Sequence, residues 1–228
     1  HTKPDNIAVS ANAVREGVLY SILTPKYRAL DPLLLACEEM AGRLSKSPDY
    51  GHELAAWSSK LFKNSNWTLG SKKAFLRLRE AGCLISDVAW ASHPSWRAEM
   101  VRQVVLTAPF SGIRHEERVF LAHALAYRHE LDGGELKYGP LELCASDQRL
   151  ARAMGLSFRL AHSLSASLPG ALRMTRLSAG RNYLTLKIDP SRSQLMGPII
   201  SKRLAAVAFE LDLEPRVEIK PIKDLLVA

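Results

Sequence analysis

A dense group of basic side chains lies between positions 149 and 203. This segment contains ten lysines and arginines and one acid, Asp189, so its formal charge is +9, whereas the whole chain carries +8 and the remainder therefore −1. Clustered cations create a local positive potential that attracts polyanions. Eight of the ten are arginines, whose planar guanidinium groups bind phosphate oxygens in pairs. The composition favours an anion-binding surface over its alternative, an ordinary solvated surface.

Two predicted elements present most of these cations. Three arginines recur at spacings that place them roughly on one side of a helix, and the others lie on a predicted β-hairpin. The candidate anion-binding residues are Arg149, Arg152, Arg159, Arg173, Arg176, Arg181 and Lys187. We expect them to form one continuous cationic track in the folded molecule, which requires that carboxylates do not neutralise them.

A second group of residues resembles an incomplete metal site. The stretch LREAGCLISDVAW, residues 78–90, resembles the helix that carries the adjacent His-Asp pair of HD-type phosphohydrolases, in which these ligands hold metals that activate water. Here Ser86 precedes Asp87, and a serine hydroxyl is a poorer ligand than imidazole. The other possible donors are His52 upstream and His93, His129 and Asp132 downstream. We therefore expect no metal in this chain.

The same region could instead form a vestigial pocket that binds anions, with a solvated rim as the alternative. Its candidate members are His52, Ser86, Asp87, His93, Arg97, Arg128 and His129. Because Arg128 and His129 are adjacent, they point about 100° apart on a helix, and only one of them can face the pocket centre.

Other catalytic arrangements find no support in the sequence. It contains no GxSxG motif, no glycine-rich phosphate loop, no HExxH motif and no EF-hand loop. The glycine and arginine of LSAGRN, residues 177–182, are better explained by a hairpin turn. Cys37, Cys83 and Cys144 are far apart and odd in number, and each has apolar neighbours. This usage predicts buried free thiols and a reducing cytoplasm.

Nucleic-acid and membrane binding are not favoured. The tryptophans, Trp57, Trp67, Trp90 and Trp96, lie outside the basic segment, which favours helix packing over base stacking. No apolar run approaches the roughly 18 residues that a membrane helix needs. The opening HTKPDNIAVS has neither an initiator Met nor a signal pattern, so we expect a natural or engineered fragment of a larger protein.

Periodicity predicts a mainly α protein with a small α+β module. Helices are predicted at about 11–24, 32–44, 51–62, 71–90, 96–108 and 115–130. Asp132-Gly133-Gly134 then marks a turn and a domain boundary. A helix over about 143–166, a hairpin, a helix from Gly197-Pro198 and the strand PRVEIK follow, in the order α-β-β-α-β. The predicted organisation is a connecting segment (1–25), an HD-like helical domain (26–134) and an α+β domain (135–228).

Several segments, in order, resemble the exopolyphosphatase and guanosine pentaphosphate phosphatase family. VSANAVREGVLYSIL looks like the transition out of the family's catalytic half. HELAAWSSKLF, LREAGCLISDVAWASHPSWRAEM and FLAHALAYRHE look like its HD-like helical domain, in the subgroup whose metal pair has degenerated. ARAMGLSFRLAHSLSASLPGAL and the hairpin after it resemble its C-terminal α+β portion. The resemblance covers essentially the whole chain.

The resemblance implies a C-terminal half that does not itself catalyse. Family members remove phosphate from inorganic polyphosphate or pppGpp with magnesium, using loops of an actin-like N-terminal half that nothing here matches. No catalytic residue or cofactor is therefore assigned to this chain. It is expected to bind polyphosphate or pppGpp in a basic channel and to form a cytoplasmic homodimer. An HD-type metal-dependent nucleotide phosphohydrolase and a nucleic-acid-binding module are the alternatives.

Overall fold

The computed structural model describes residues 14–62, 67–129 and 143–222. The predicted fold class is confirmed, because helices dominate and a three-stranded sheet lies near the C-terminal end. The helices are α1 (Val14–Ile22), α2 (Pro25–Arg28), α3 (Pro32–Leu44), α4 (Asp49–Trp57), α5 (Lys72–Leu84), α6 (Arg97–Thr107), α7 (His115–Arg128), α8 (Ala145–Ser165) and α9 (Pro198–Glu210). The strands are β1 (Thr175–Ala179), β2 (Tyr183–Ile188) and β3 (Glu214–Ile219). Short 3₁₀ segments cover Pro94–Trp96, Ala171–Met174 and Pro190–Leu195. The predicted boundary at 134, and Asp132 with it, lies outside the described residues.

Helix ends follow local chemistry where the sequence offers a cap. The Asp31 carboxylate accepts hydrogen bonds from the N–H groups of Leu33 and Leu34, at 2.9 and 3.3 Å, and Pro32 takes the first helical position of α3. The helix predicted over 71–90 is shorter than expected. It ends at Leu84, and turns carry the chain on through residues 85–91.

Helices α7 and α8 cross at backbone contact because one of them presents a glycine. A Cβ atom on Gly155 of α8 would lie 2.0 Å from the carbonyl oxygen of Ala124 and 2.8 Å from Cβ of Tyr127. No side chain fits in that space, so glycine permits the close approach. The crossing brings Arg128, the last residue of α7, beside His162 of α8.

One hydrophobic core extends from α3 to α9 and includes the inner face of the sheet. Among its largest fully buried side chains are Tyr50, Phe75, Phe120 and Phe158. Trp67 packs against two of these rings, with centroids 5.4 Å from Phe75 and 4.8 Å from Phe120. Burying such aromatic side chains supplies much of the stability of a domain of this size.

Two predictions about buried side chains are wrong in part. Trp57 is buried as expected, but Trp90 and Trp96 are 42% and 66% exposed, because Trp90 lies in the turns after α5 and Trp96 ends the short 3₁₀ segment before α6. Cys37 and Cys83 are buried, whereas Cys144 is exposed at the N-terminal end of α8. In the described part of the chain, no helix has the length and apolar character needed to span a bilayer.

The sheet has the strand order β1-β2-β3, with β1 and β2 antiparallel as predicted and β3 parallel to β2. Leu184, Leu186 and Ile188 are fully buried on the inner face, which confirms the predicted alternation along β2. On the other face, Arg176 of β1 lies directly opposite Lys187 of β2. The hairpin therefore aligns two cations side by side.

Candidate functional site

A groove of about 320 Å³ lies between the C-terminal end of α4 and strand β1. Its cationic residues are Lys60, Arg173, Arg176 and Lys187. Its apolar lining includes Ala56, Trp57, Leu172 and Leu177. We refer to this feature as the α4–β1 groove, and its volume is within the usual range of ligand pockets.

Buried and half-buried hydrogen bonds fix the two walls of the α4–β1 groove. The Glu53 carboxylate of α4 accepts hydrogen bonds from the N–H groups of Gly170 and Leu172, at 2.7 and 2.9 Å. Gly170 has a positive φ of 79°, which glycine adopts without strain. The Trp57 indole N–H donates to Thr175 Oγ1 at 3.0 Å. These contacts hold α4 against the segment that carries Arg173.

The α4–β1 groove has an excess of positive charge. Four cations line it, and Glu53 is the one acid among its described lining residues, which gives a net charge of +3. Arg176 and Lys187 are cross-strand partners, and like charges in that arrangement destabilise a sheet. Lys187 Nζ lies 3.7 Å from Glu218, an exposed ion pair that contributes little. An anion bound between the two cations would offset their repulsion.

Besides Lys187, two of the seven candidate anion-binding residues, Arg149 and Arg152, pair with carboxylates. The Arg149 guanidinium pairs with Asp212 at 2.6 Å and with Glu210 at 3.6 Å. Arg152 Nε donates to the same Glu210 at 3.2 Å. The hydrogen bond from Arg149 to Asp212 lowers the pKa of that carboxyl. Glu210 and Asp212 follow the basic segment (149–203) in the sequence, so the charge count over that segment did not include them.

The remaining candidates occupy other places. Arg159 lies near Arg203, and burial together with that neighbouring charge lowers the pKa of Arg159 to about 10. Arg181 lines a separate recess with Asp212 and Glu214. The structure thus brings Arg173, Arg176 and Lys187 together and places the other four candidates outside the α4–β1 groove. It adds Lys60, which the sequence reasoning missed.

A second group of polar residues, two of them buried and two half-buried, lies where α5, α7 and α8 meet. Arg128 Nη2 donates to Asp87 Oδ1 at 2.7 Å, and both residues are only 5% exposed. Arg128 Nη1 lies 3.0 and 3.1 Å from the two ring nitrogens of His129. Nη2 lies 3.5 Å from Nδ1 of His162. We call these four residues, Asp87, Arg128, His129 and His162, the Arg128 cluster.

Burial keeps both imidazoles of the Arg128 cluster neutral. Desolvation, reinforced by the Arg128 charge, lowers the pKa of His129 to about 2 and that of His162 to about 4. Burial also lowers the pKa of Arg128, and the Asp87 charge opposes that shift, so the guanidinium stays protonated. The result is one buried ion pair flanked by two neutral rings.

The structure gathers part of the predicted vestigial pocket. Ser86, Asp87, Arg128 and His129 lie together, whereas His52 and His93 are exposed. The Nδ1 atom of His93 accepts a hydrogen bond from the Ser95 N–H at 3.3 Å and thereby caps a 3₁₀ turn.

Arg97 and His162 complete the surroundings of the Arg128 cluster. Arg97 donates to the carbonyl oxygens of Ser92 and Trp90, at 3.0 and 2.7 Å, and its charge lowers the pKa of His162. His162 was missed from the sequence, because only the packing of α8 on α7 brings it to this place.

The residues near Asp87 do not fit a bound metal ion. The Arg128 guanidinium contacts Asp87, His129 and His162, and so occupies the space between these donors. Ser86 Oγ is buried and has no hydrogen-bond partner among the described residues. Over residues 14–62, 67–129 and 143–222, no three His, Cys, Asp or Glu side chains are close enough to hold an ion. Carboxylate and imidazole groups, which commonly bind metals, are therefore present, but the Arg128 guanidinium lies between them.

The exopolyphosphatase C-terminal family model matches residues 33–211. The chain belongs to this family. The match begins in α3 and ends just after α9, so it includes both the α4–β1 groove and the Arg128 cluster. The predicted exopolyphosphatase relationship is therefore confirmed for the C-terminal part. A search of curated proteins gives no match.

Proposed function

We propose that this exopolyphosphatase C-terminal chain is a non-catalytic part that holds inorganic polyphosphate in the α4–β1 groove. The observation that supports the proposal is the convergence of Lys60, Arg173, Arg176 and Lys187 around one cavity, where Glu53 is the one acid among the described lining residues. The hydrolytic step and its magnesium are proposed to belong to an actin-like half of the family's enzymes, because the family resemblance assigns no catalytic residue to this chain.

Polyphosphate suits the α4–β1 groove for a physical reason. Each phosphate of the polymer carries about one negative charge, so several weak cation contacts act together and release counterions, as they do for nucleic acids. Arginine adds geometric fit, since its guanidinium binds two phosphate oxygens at once. Arg149 and Arg152 already have carboxylate partners and are proposed to contribute less.

The test compares two double variants with the same loss of charge. Long-chain polyphosphate is titrated into the full chain, its Arg173→Ala/Arg176→Ala variant and its Arg149→Ala/Arg152→Ala variant at one salt concentration. We expect the groove variant to lose at least about tenfold in affinity, since each charge-assisted contact contributes on the order of 1.5 kcal/mol. The control should change less than about threefold, because Arg149 and Arg152 lie outside the groove and already pair with Asp212 and Glu210. Equal losses in both variants would contradict the proposal.

The guanosine polyphosphate pppGpp is the second ligand that the cations of the α4–β1 groove can accept. One competition experiment separates the ligand classes. Labelled polyphosphate bound to the full chain is challenged with pppGpp, with GMP and with duplex DNA. We expect pppGpp to compete and GMP to fail, because the groove cations recognise consecutive phosphates. Displacement by duplex DNA at equal phosphate concentration would instead favour a nucleic-acid-binding module.

We also propose a cytoplasmic homodimer, on the strength of the family relationship. The cysteines, including buried Cys37 and Cys83, are free thiols, as a reducing compartment requires. The chain has a mass of 25.3 kDa, so sedimentation equilibrium should give about twice that value. A monomer mass at micromolar concentration would refute the dimer without affecting the groove.

A further inference from the structure

We propose that strand β3 pairs with β3 of a second copy of this chain, antiparallel and with Val217 opposite Val217, so that the two sheets join into one. The inference deepens the proposed homodimer, on which it rests. It is independent of polyphosphate binding, because none of the described residues that line the α4–β1 groove belongs to β3. The family match ends at residue 211, before β3 begins, so this surface is not part of that match.

β3 is an open edge of the sheet. Its one neighbour among the described strands is β2, and four of its six residues are exposed. The N–H groups of Glu214 and Lys220 donate to carbonyl oxygens on the β2 side, at 2.9 and 3.1 Å. Alternate residues of a strand bond to the same neighbour, so the intervening Pro215, Val217 and Ile219 direct their backbone groups outward. Such a row of unpaired groups is a template for another strand.

The side-chain charges of β3 favour pairing with an identical strand. On its outer face the charges alternate in sign along the chain, in the order Glu214, Arg216, Glu218 and Lys220. With Val217 opposite Val217, Arg216 of each copy faces Glu218 of the other, and Glu214 faces Lys220. The two strands thus form four pairs of opposite charge, and such cross-strand pairs stabilise a sheet.

Other registers of the same two strands are less favourable. The outward backbone groups allow the register to shift only in steps of two residues. One such shift places Arg216 opposite Arg216 and Glu214 opposite Glu218, and the opposite shift places Glu218 opposite Glu218 and Arg216 opposite Lys220. Like charges directly opposite each other destabilise a sheet. A shift of four residues restores opposite charges but keeps only two of the four pairs. β3 is therefore complementary to itself over its full length in one register, as a two-fold contact requires.

Four backbone hydrogen bonds accompany the four charge pairs in this register. Two connect Val217 with Val217, and two run from the Ile219 N–H to the Pro215 carbonyl oxygen of the other copy. Pro215 has no N–H group, which removes two further bonds and makes β3 a poor partner for strands that lack the matching charges. The side chains of these three residues meet on the inner face, where Ile219 is 52% exposed in the single chain.

The charged side chains have exposed or half-buried contacts within one chain. Glu218 lies 3.7 Å from Lys187 of β2 and 3.3 Å from Lys220, and the Arg216 guanidinium lies over the Tyr183 ring at 3.6 Å. A partner strand would lie about 4.8 Å from β3, on the side away from β2. Glu218 would then lie between Lys187 and Arg216 of the second copy. Arg216 exchanges its contact with Tyr183 for this carboxylate.

The first experiment reverses charges and measures the mass by sedimentation equilibrium. Arg216→Glu and Glu218→Arg each place like charges opposite each other at two points, so each variant alone should have a dimer dissociation constant at least about tenfold higher than the unaltered chain. An equimolar mixture of the two variants should form heterodimers, because the acidic β3 of one then faces the basic β3 of the other. Arg43→Glu, an exposed reversal on α3, is the matched control and should leave the dimer unchanged.

The second experiment tests the register with cysteines in a Cys144→Ser background. Val217→Cys should form a disulfide between copies under mild oxidation, because residues directly opposite each other lie about 5.5 Å apart between their Cα atoms. Ile219→Cys is on the same face and serves as the control. Its two copies would be four residues apart along the strands, about 13 Å, and should not cross-link.

The outcomes separate this contact from the homodimer itself. A dimer that both charge reversals leave unchanged would overturn the β3 contact but not the homodimer, and a monomeric unaltered chain would refute both without affecting the α4–β1 groove. Cross-linking by Ile219→Cys but not by Val217→Cys would also overturn the proposal. If circular dichroism shows that the charge variants do not fold, the cysteine variants decide, since they leave the charges of β3 intact.

Discussion

The same substitution should have opposite effects at two helical glycines. Gly155 lies at the crossing of α7 and α8, whereas Gly42 lies on the exposed face of α3 with no atom within 4 Å of an added Cβ. We predict that Gly155→Ala destabilises the protein and that Gly42→Ala stabilises it. The pair isolates helix packing, because both changes add one methyl group to a helix.

The structure sets the size of each effect. At Gly155 the new Cβ would lie 2.0 Å from the Ala124 carbonyl oxygen. To reach van der Waals contact distance, the two helices would have to separate by more than about 1 Å. Overpacking of this kind costs about 1–3 kcal/mol or more, which exceeds the gain in helix propensity of about 1 kcal/mol. At Gly42 only the propensity gain remains, about 0.5–1 kcal/mol.

Thermal unfolding followed by circular dichroism measures both variants. A net loss of about 2 kcal/mol for Gly155→Ala corresponds to a fall in Tm of about 4–8 °C, and Gly42→Ala should raise Tm by about 1–4 °C. Equal shifts for the two variants, or a more stable Gly155→Ala protein, would show that α7 and α8 do not meet as described. The separation should also weaken the contact between Arg128 and His162.

Three further predictions test the buried polar contacts. Asp87→Asn removes the partner of buried Arg128 and should cost about 3–5 kcal/mol in urea unfolding, much more than the same change costs after Arg128→Met. Burial lowers the pKa values of His123 and His162 to about 4 from about 6.5 in the unfolded chain, so the unfolded state binds more protons below pH 6.5. The urea midpoint should be constant between about pH 6.5 and 8 and fall as the pH is lowered from 6.5 towards 4; a midpoint that rises as the pH is lowered would refute the neutral state of both rings. Glu53→Ala leaves the backbone N–H groups of Gly170 and Leu172 without their carboxylate acceptor, and it should destabilise the protein by about 1–3 kcal/mol. Hydrogen exchange at residues 170–172 should become faster.

The periodicity of apolar residues along the sequence was sufficient to predict most of the fold. The capping Asp31 and Pro32 place the start of α3, and alternation along β2 identifies its buried face, because both signals are local. The end of α5 was missed, since the apolar run continues past Leu84 into buried turns that look helical in the sequence. The exposed Trp90 follows from those turns and could not be inferred from residue type.

The candidate sites depended on contacts between distant residues. Arg149 meets Asp212, which is 63 positions away, so a charge count over one segment overstated the free cationic surface. Lys60 joins the α4–β1 groove only because α4 packs beside β1. His162 reaches Arg128 across a helix crossing. Local patterns identified the residue types, and tertiary packing decided which of them meet.

The salt dependence of polyphosphate binding tests the central claim most directly. If the four cations of the α4–β1 groove each neutralise one phosphate, the logarithm of the association constant should fall with the logarithm of salt concentration with a slope of about −3, using the coefficient for single strands. The Arg173→Ala/Arg176→Ala variant should reduce that slope by roughly half, since two of the four contacts are lost. A slope near zero, or one that the two substitutions leave unchanged, would contradict binding in the groove.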